Sequence, residues 1–453
     1  MLTPAIFKAN DIRGVVSGSQ PEWDVAGARA VGAAFVRVLG LAGHEFVLGR
    51  DMRASGPALA AAFIEGARAQ GASVIDIGLA STDQLWFASG FFDLPGVQLT
   101  ASHNPADYNG IKFCLAQAAP IEPAMLKQIA ELAMGPELEP VAEPGSRRSQ
   151  DVLAEYAAHL HGLVPLEGMR RLTMVYDAGN GMAGHTAPAV FGPLDVETIG
   201  LFTELDGSFP NHPPNPLEPA NLVDAQQAVL EHHADLALVF DGDADRCFIV
   251  DERGEVVSPS LITALIAQQE LRREPGGTIV INTITSRAVD RVVADAGGAL
   301  VVSLVGHTSV KAKMAQHHAI FGGEHSAHYY FRDFWGADTG MLAGLHVLAL
   351  LGRSGGTMSE LVAGLPAFAA SGEINSTVAD VPSVLARLAE AFAGRGVQNT
   401  DDGLTIEGDG WWVNVRASNT EPLLRLNVES ADAAQMASLR DEALAIIRGE
   451  ADA

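Results

Sequence analysis

The chain has 453 residues, a formal net charge of −26, and 48% hydrophobic against 19% charged residues. That balance is a soluble globular one with apolar side chain enough for several cores, and length alone suggests about three domains, give or take one. So acidic a surface disfavours nucleic acid and anionic membrane as partners, and any anionic ligand would need local Arg and Lys to overcome the bulk field.

Short apolar runs alternate with longer amphipathic ones, the pattern of an α/β architecture. In chain order, strands are expected at 45–48, 73–77, 97–100, 172–176, 236–240, 278–281, 299–305, 412–415 and 424–428. Helices are expected at 57–70, 123–134, 152–163, 222–234, 261–269, 286–296, 339–351, 384–393 and 433–448. Composition breaks near 135–150, 252–259 and 366–372 divide the chain into 1–147, 148–253, 254–368 and 369–453. Cys114 and Cys247 form neither a disulfide framework nor a zinc pattern and read as buried hydrophobes in a reducing compartment. The N-terminus lacks a basic segment followed by an apolar run, and no stretch reaches about 18 uncharged apolar residues, so the expected location is cytoplasmic.

One arrangement recurs: a buried strand followed by a polar loop. In open α/β sheets ligands sit beyond the carboxyl ends of strands, so four such loops suggest one central cleft built from four domains. The first loop, Thr100-Ala101-Ser102-His103-Asn104-Pro105, puts a hydroxyl at a bend that Asn-Pro favours. It has no G-x-S-x-G context. The second, Asp241-Gly242-Asp243-Ala244-Asp245-Arg246, places three carboxylates at alternate positions, costly without a cation and suited to magnesium or calcium. Glu252 falls at the twelfth position of an EF-hand count, but Arg246 stands where that motif needs Gly and the flanks read as strands, so the EF-hand is rejected.

Gly306-His307-Thr308-Ser309-Val310-Lys311 is a glycine turn opening a helix, with His307 and Lys311 as titratable groups. Gly323-Glu324-His325-Ser326-Ala327-His328 sets a carboxylate and a hydroxyl two positions apart; on an extended loop both face the same way and can meet adjacent hydroxyls of a ligand. Arg416-Ala417-Ser418-Asn419-Thr420, with Arg425 beyond, combines a forked guanidinium, hydroxyls and an amide, a phosphate cradle without Walker glycines. Each loop alone also reads as an ordinary polar turn.

Together, and in this order, the motifs resemble the α-D-phosphohexomutases, within them the phosphomannomutase/phosphoglucomutase branch. The resemblance runs from Ile12-Arg13-Gly14 to residue 422. It implies three related mixed α/β sheet domains plus a smaller, mobile C-terminal α+β domain around the cleft. It implies a phosphorylated Ser102 and Mg²⁺ held by Asp241, Asp243, Asp245 and a phosphoserine oxygen. Arg13, His103, Lys112, Arg246, His307 and His328 match positions near the reacting groups. Glu324, His325, Ser326 and Lys311 match substrate contacts, and Arg416, Ser418, Asn419, Thr420 and Arg425 match the phosphate loop. Two departures stand out: Asn10 where relatives often carry an aromatic, and Ala327 where many have Gly. His325 argues against phosphoglucosamine mutases, which usually carry Gln there.

The implied reaction moves phosphoryl between O1 and O6 of a hexose phosphate, mannose and then glucose phosphate, through a hexose 1,6-bisphosphate. His307, His328 and Lys112 are all candidate bases. Rival readings are a phosphoglucosamine mutase, a magnesium-dependent sugar phosphatase and a non-catalytic sugar-phosphate sensor. The sequence leaves monomer and homodimer open.

Overall fold

Phe46, Val47 and Leu48 are all fully buried, the pattern of a strand covered on both faces. Their strand, Glu45–Arg50, lies between Gly96–Leu99 and Ser73–Leu79, parallel to both. Ile12–Val15, Tyr108–Cys114, Gly96–Leu99, Glu45–Arg50, Ser73–Leu79 and Arg147–Ser149 follow one another across this first sheet. Tyr108–Cys114 runs antiparallel to both of its neighbours, so the sheet is mixed. Helices Val25–Leu39 and Gly56–Ala69 approach closely because Gly32 and Gly66 are glycines; a Cβ on either would collide with a carbonyl oxygen of the facing helix, of Phe63 or Arg29. Phe35, Phe46, Phe63 and Phe113 fill the core beside them.

The second sheet repeats the plan. Its order is Val256–Val257, Cys247–Asp251, Leu236–Phe240, Leu172–Asp177, Val196–Leu201. The last three are parallel, and Cys247–Asp251 returns antiparallel to Leu236–Phe240. In both sheets the polar loop joins a buried strand to an antiparallel partner, so backbone pairing on each side clamps it.

This computed structural model describes residues 1–417 and 423–449. By its contacts the chain forms two bodies: Met1–Ile262 with Ser326–Val362, and Thr263–His325 with Ala363–Ala453. The first body holds the two sheets above and the antiparallel pair Tyr329–Phe331 and Ala337–Asp338. The second holds the parallel strands Ala299–Ser303, Thr278–Asn282 and Phe321–Gly323. It also holds an antiparallel sheet, in which Ala369–Ala370, Leu424–Ser430, Trp411–Ala417, Leu404–Gly408 and Val397–Asn399 follow one another. Leu388, Leu404, Val413, Leu426, Leu439 and Ile447 pack its core. The expected α/β class therefore holds, with mixed pairing in the first three domains and an antiparallel last sheet.

Several expectations change in detail. The strand expected at 299–305 stops at Ser303; Leu304 is exposed, and the Val305 amide donates to Asp402 Oδ2 at 2.9 Å instead of to a neighbouring strand. Helices Val25–Leu39 and Thr82–Phe92 are additional to the expected set. Cys114 and Cys247 are buried free thiols. Among the described residues no helix is long and apolar enough to cross a membrane.

Candidate functional site

Ser102 sits three residues beyond the end of the strand Gly96–Leu99, in the loop that leads to Tyr108–Cys114, at φ +50°, a left-handed conformation costly for a side-chain-bearing residue. Its amide donates to Thr100 Oγ1 at 2.9 Å. Arg53, 1% exposed, holds the rest of the loop. Its Nη1 donates to the carbonyls of Pro105 (2.6 Å) and Tyr108 (3.0 Å), and its Nη2 to those of Ser102 (2.9 Å) and Asn104 (2.6 Å). Asp51 balances the buried guanidinium at 3.2 Å. Arg13 reaches the same loop from the first strand, donating to Asn104 Oδ1 at 2.9 Å and to Asp11 at 2.6 Å.

The acidic loop meets this bend. Ser102 Oγ donates to Asp241 Oδ2 at 2.9 Å and lies 3.3 Å from His103 Nδ1. Gly242 must be glycine, because a Cβ there would collide with the Ser102 carbonyl oxygen. Asp241, Asp243 and Asp245 are all buried and offer oxygens within 4.8 Å of one another. Lys112 Nζ donates to Asp243 Oδ2 at 2.8 Å and to Asp245 Oδ2 at 2.6 Å, and Arg246 Nε to Asp241 Oδ2 at 2.9 Å. Two cations thus face three carboxylates. Asp243 Oδ1 and Asp245 Oδ1 are buried and accept no hydrogen bond among the described residues. A hard divalent cation with oxygen ligands fits these orphaned oxygens and the surplus negative charge. Calcium and magnesium share that donor chemistry.

The electrostatics follow from burial and neighbours. Burial pushes Asp241 up to about 7, against the pull of Arg246 and with help from Asp245 and Asp243. Burial is the largest single influence on Asp243 and opposes its ionisation, but the Lys112 charge and the hydrogen bonds the carboxylate accepts together outweigh it and hold that carboxyl well below its usual range. Lys112 is the mirror case: burial works against its charge, Asp243 and Asp245 win, and its ammonium is held above the ordinary range. His103 is pushed well below its usual value by burial and by the repelling charges of Arg246 and Arg13, so its imidazole is neutral.

His328 joins the same body. Its Nε2 lies 3.7 Å from Asp245 Oδ1, and its Nδ1 2.8 Å from Ser326 Oγ. Asp338 completes a group with Asp245 and His328. The loop is not extended: His325 and Ser326 form a turn and Ala327 takes φ +66°, so spacing by two does not align Glu324 with Ser326 as on a strand.

In the second body Glu324 is buried and accepts from Asn282 Nδ2 (3.0 Å) and the Gly306 amide (3.1 Å). Gly306, at φ +122°, precedes the helix His307–His317, which carries His307 on its first residue and a buried Lys311 one turn on. Glu373 pairs with Arg416 at 3.2 Å and Arg425 at 3.1 Å. Burial lowers the pKa of His325; Arg416 adds to that and Glu373 opposes it. Ser418, Asn419 and Thr420 lie outside the described residues.

The expected residues therefore fall into two groups. Ser102, His103, Lys112, Arg13, the three aspartates, Arg246, Ser326 and His328 lie in the first body, and Glu324, His325, His307, Lys311, Arg416 and Arg425 in the second. Arg53, Asp51, Asp338 and Glu373 were missed. Arg50-Asp51-Met52-Arg53 carried a usable signal, charged residues straight after a buried strand. Nothing in the sequence pairs Glu373 with two arginines.

Comparison with known proteins places four family descriptions along the chain. Phosphoglucomutase/phosphomannomutase alpha/beta/alpha domains I, II and III match residues 4–137, 154–254 and 258–368, and the C-terminal domain matches 373–446. A phosphomannomutase of Salmonella typhimurium is 39% identical over 436 residues, 94% of each protein. A protein of Xanthomonas campestris named phosphohexose mutases is 39% identical over 460 residues, covering 99% of this chain and 100% of its own. The crystal structure of a phosphoglucomutase/phosphomannomutase family protein from Burkholderia thailandensis superposes with a TM-score of 0.90 at 34% identity, over 100% of this chain and 99% of that one.

Proposed function

The chain belongs to the phosphoglucomutase/phosphomannomutase family and is a phosphosugar mutase, and from that premise we propose that it moves phosphoryl between O1 and O6 of a hexose phosphate by way of phosphorylated Ser102. The observation that carries the reading is Ser102 Oγ at 2.9 Å from Asp241, inside a loop whose Asp243 and Asp245 each keep a buried oxygen without a hydrogen bond among the described residues. Magnesium is the proposed ion, held by Asp241, Asp243, Asp245 and an oxygen of phosphorylated Ser102; when bound it neutralises charge on the seryl oxygen as a Lewis acid.

The chain's own residues supply the rest. The phosphorus–Oγ bond of phosphorylated Ser102 breaks as a bond forms from phosphorus to O6 or O1 of the bound monophosphate. Lys112 and Arg246, fixed by the aspartates, face the oxygens where charge spreads in that transfer. The acceptor hydroxyl loses its proton to a base. Lys112 is held protonated by Asp243 and Asp245, which favours His328, with Nδ1 oriented by Ser326, or His307 in that role. His103, neutral beside Ser102 Oγ, adds no competing charge. The hexose 1,6-bisphosphate then returns its other phosphoryl group to Ser102 and also serves as the activator that first loads it.

Residues 1–147 carry the nucleophile, 148–253 the metal loop, 254–368 the sugar contacts through Glu324 and His325, and 369–453 the phosphate contacts through Arg416, Arg425 and the segment holding Ser418, Asn419 and Thr420. Mannose 6-phosphate and mannose 1-phosphate are the proposed pair, with glucose phosphates also accepted. The test is intact-protein mass spectrometry after incubation with glucose 1,6-bisphosphate, alongside coupled assays on mannose, glucose and glucosamine 1-phosphates. A phosphoryl group that persists in Ser102→Ala refutes the nucleophile. A glucosamine preference, or inorganic phosphate as the main product, refutes the substrate or the mutase reading.

A further inference from the structure

Two side chains donate to the same oxygen of Asp243. Lys112 Nζ reaches Oδ2 at 2.8 Å, and Thr82 Oγ1 reaches the same atom at 2.6 Å. The Thr82 amide also donates to the Asp243 carbonyl, at 3.0 Å. Oδ1 is left buried with no hydrogen bond among the described residues. Thr82 opens the helix Thr82–Phe92 of the first sheet domain, whereas Asp243 belongs to the loop of the second sheet. One residue therefore fixes both the backbone and the carboxylate plane of a loop from another domain.

The grip is itself anchored. Ser81 caps the helix, its Oγ accepting from Gln84 N at 3.2 Å. Asp83 accepts from Tyr156 Oη at 2.6 Å and Thr339 Oγ1 at 2.7 Å, and from Ser81 Oγ. Those partners come from three separate stretches of the first body, and Ser81, Thr82 and Asp83 are all fully buried. No solvent is at hand to replace a lost donor.

We propose that Thr82 is a positioning residue for the metal: its hydroxyl loads Asp243 Oδ2 so that Oδ1 is presented to the cation at a fixed angle. This rests on the metal reading of the 241–246 loop. Partners that orient a metal-binding carboxylate typically contribute 10–100-fold in affinity or activity. Lys112 also donates to Oδ2, but its ammonium is shared with Asp245, so it orients Asp243 less independently than Thr82, which grips both the carboxylate and the backbone of that residue.

The test is Mg²⁺ titration calorimetry on the purified full chain, with Thr82→Val, Thr82→Ala and Thr82→Ser. Thr82→Val keeps shape and removes the donor; Mg²⁺ affinity should fall about 10–100-fold, and kcat should fall with KM for hexose phosphate unchanged. Thr82→Ser keeps the donor and should restore affinity to within about threefold of wild type. Melting temperature in EDTA separates folding from metal positioning, and Thr82→Ala serves if Thr82→Val does not fold. Wild-type Mg²⁺ affinity in Thr82→Val or Thr82→Ala, even with a lowered melting temperature in EDTA, overturns the proposal and leaves Thr82 a purely structural contact. Absence of Mg²⁺ binding by the wild type overturns the metal reading itself.

Discussion

Replacing Arg53 by Met keeps most of the side-chain volume and removes the guanidinium that organises the Ser102 loop. Arg53 makes four hydrogen bonds to carbonyls of residues 102, 104, 105 and 108 and pairs with the fully buried Asp51. Removing one partner of a buried ion pair costs about 3–5 kcal/mol, because the other charge is left uncompensated. Each charge-assisted bond is worth about 1.5–3 kcal/mol, but the part-buried carbonyls of Asn104, Pro105 and Tyr108 can regain water, so the sum is not reached. A loss on the order of 4 kcal/mol is expected, a large share of the roughly 5–15 kcal/mol that holds a domain. Phe209, whose ring lies 5.1 Å from the guanidinium, loses a cation–π partner as well.

Function should suffer beyond stability. Ser102 sits at φ +50° partly because its carbonyl is tied to Arg53. Released, it should drift by about an ångström, enough for about a hundredfold loss in rate. The assays are urea unfolding and the rate of phosphoryl loading at Ser102 from glucose 1,6-bisphosphate. Pairing Arg53→Met with Asp51→Asn removes the stranded charge; stability should partly recover while loading stays slow. Arg53→Met with wild-type unfolding and loading refutes the argument.

Asp243→Asn should abolish Mg²⁺-dependent turnover and Mg²⁺ binding, read by calorimetry and coupled assay, because it removes a charge from a site of three carboxylates. Gly242→Ala should push the acidic loop away from the Ser102 carbonyl, lowering kcat by about a hundredfold with a smaller change in hexose phosphate KM, since nucleophile and metal loop lose register. Lys112→Met leaves Asp243 and Asp245 without their shared cation; metal-free melting temperature should fall sharply, and Mg²⁺ should restore more of it than in wild type. Asp83 sits at about 6 instead of 3.8 because it is buried, so from about pH 4 to 6 the native state keeps a proton the unfolded chain has lost, and stability falls as pH rises through that window, by about 3 kcal/mol. Asp83→Asn cannot titrate and should flatten that fall in urea midpoints taken across it.

Legibility followed contrast in the sequence. Leu236–Phe240 and Ala433–Arg448 were expected at their observed bounds, one a pure apolar run and the other an amphipathic helix with Asp432 as its cap. Val25–Leu39 was not, because Ala and Gly dominate it and its tight packing on Gly56–Ala69 depends on that smallness. Thr82–Phe92 was hidden for the opposite reason: its first eight residues are all buried, Asp83 and Gln84 included, so polarity and burial part company. The same blindness covered the supports of the site. Ser102, Asp241, Asp243 and Asp245 announce themselves as polar residues after apolar strands, whereas Arg53 and Glu373 act on partners that only the fold brings near.

Backbone strain at the loops explains why so many supports are needed. Ser102, Ala244 and Ala327 all take positive φ, at +50°, +62° and +66°, each in a loop between two strands. Left-handed residues with a Cβ cost about 1–2 kcal/mol each and persist only where neighbours over-determine them. Ser102 is held by Arg53, and Ala244 by a bond from its amide to the Asp241 carbonyl at 3.1 Å. Ala327 is held by the Cys247 amide, which reaches its carbonyl at 3.3 Å from the strand following the acidic loop. The loops also brace one another: Gly242 abuts Ser102, Lys112 reaches Asp243 and Asp245 from the strand after the Ser102 loop, and Cys247 grips Ala327. Loops so interlocked cannot relax one at a time, so a carboxylate cluster short of positive charge can be kept in place before any cation arrives.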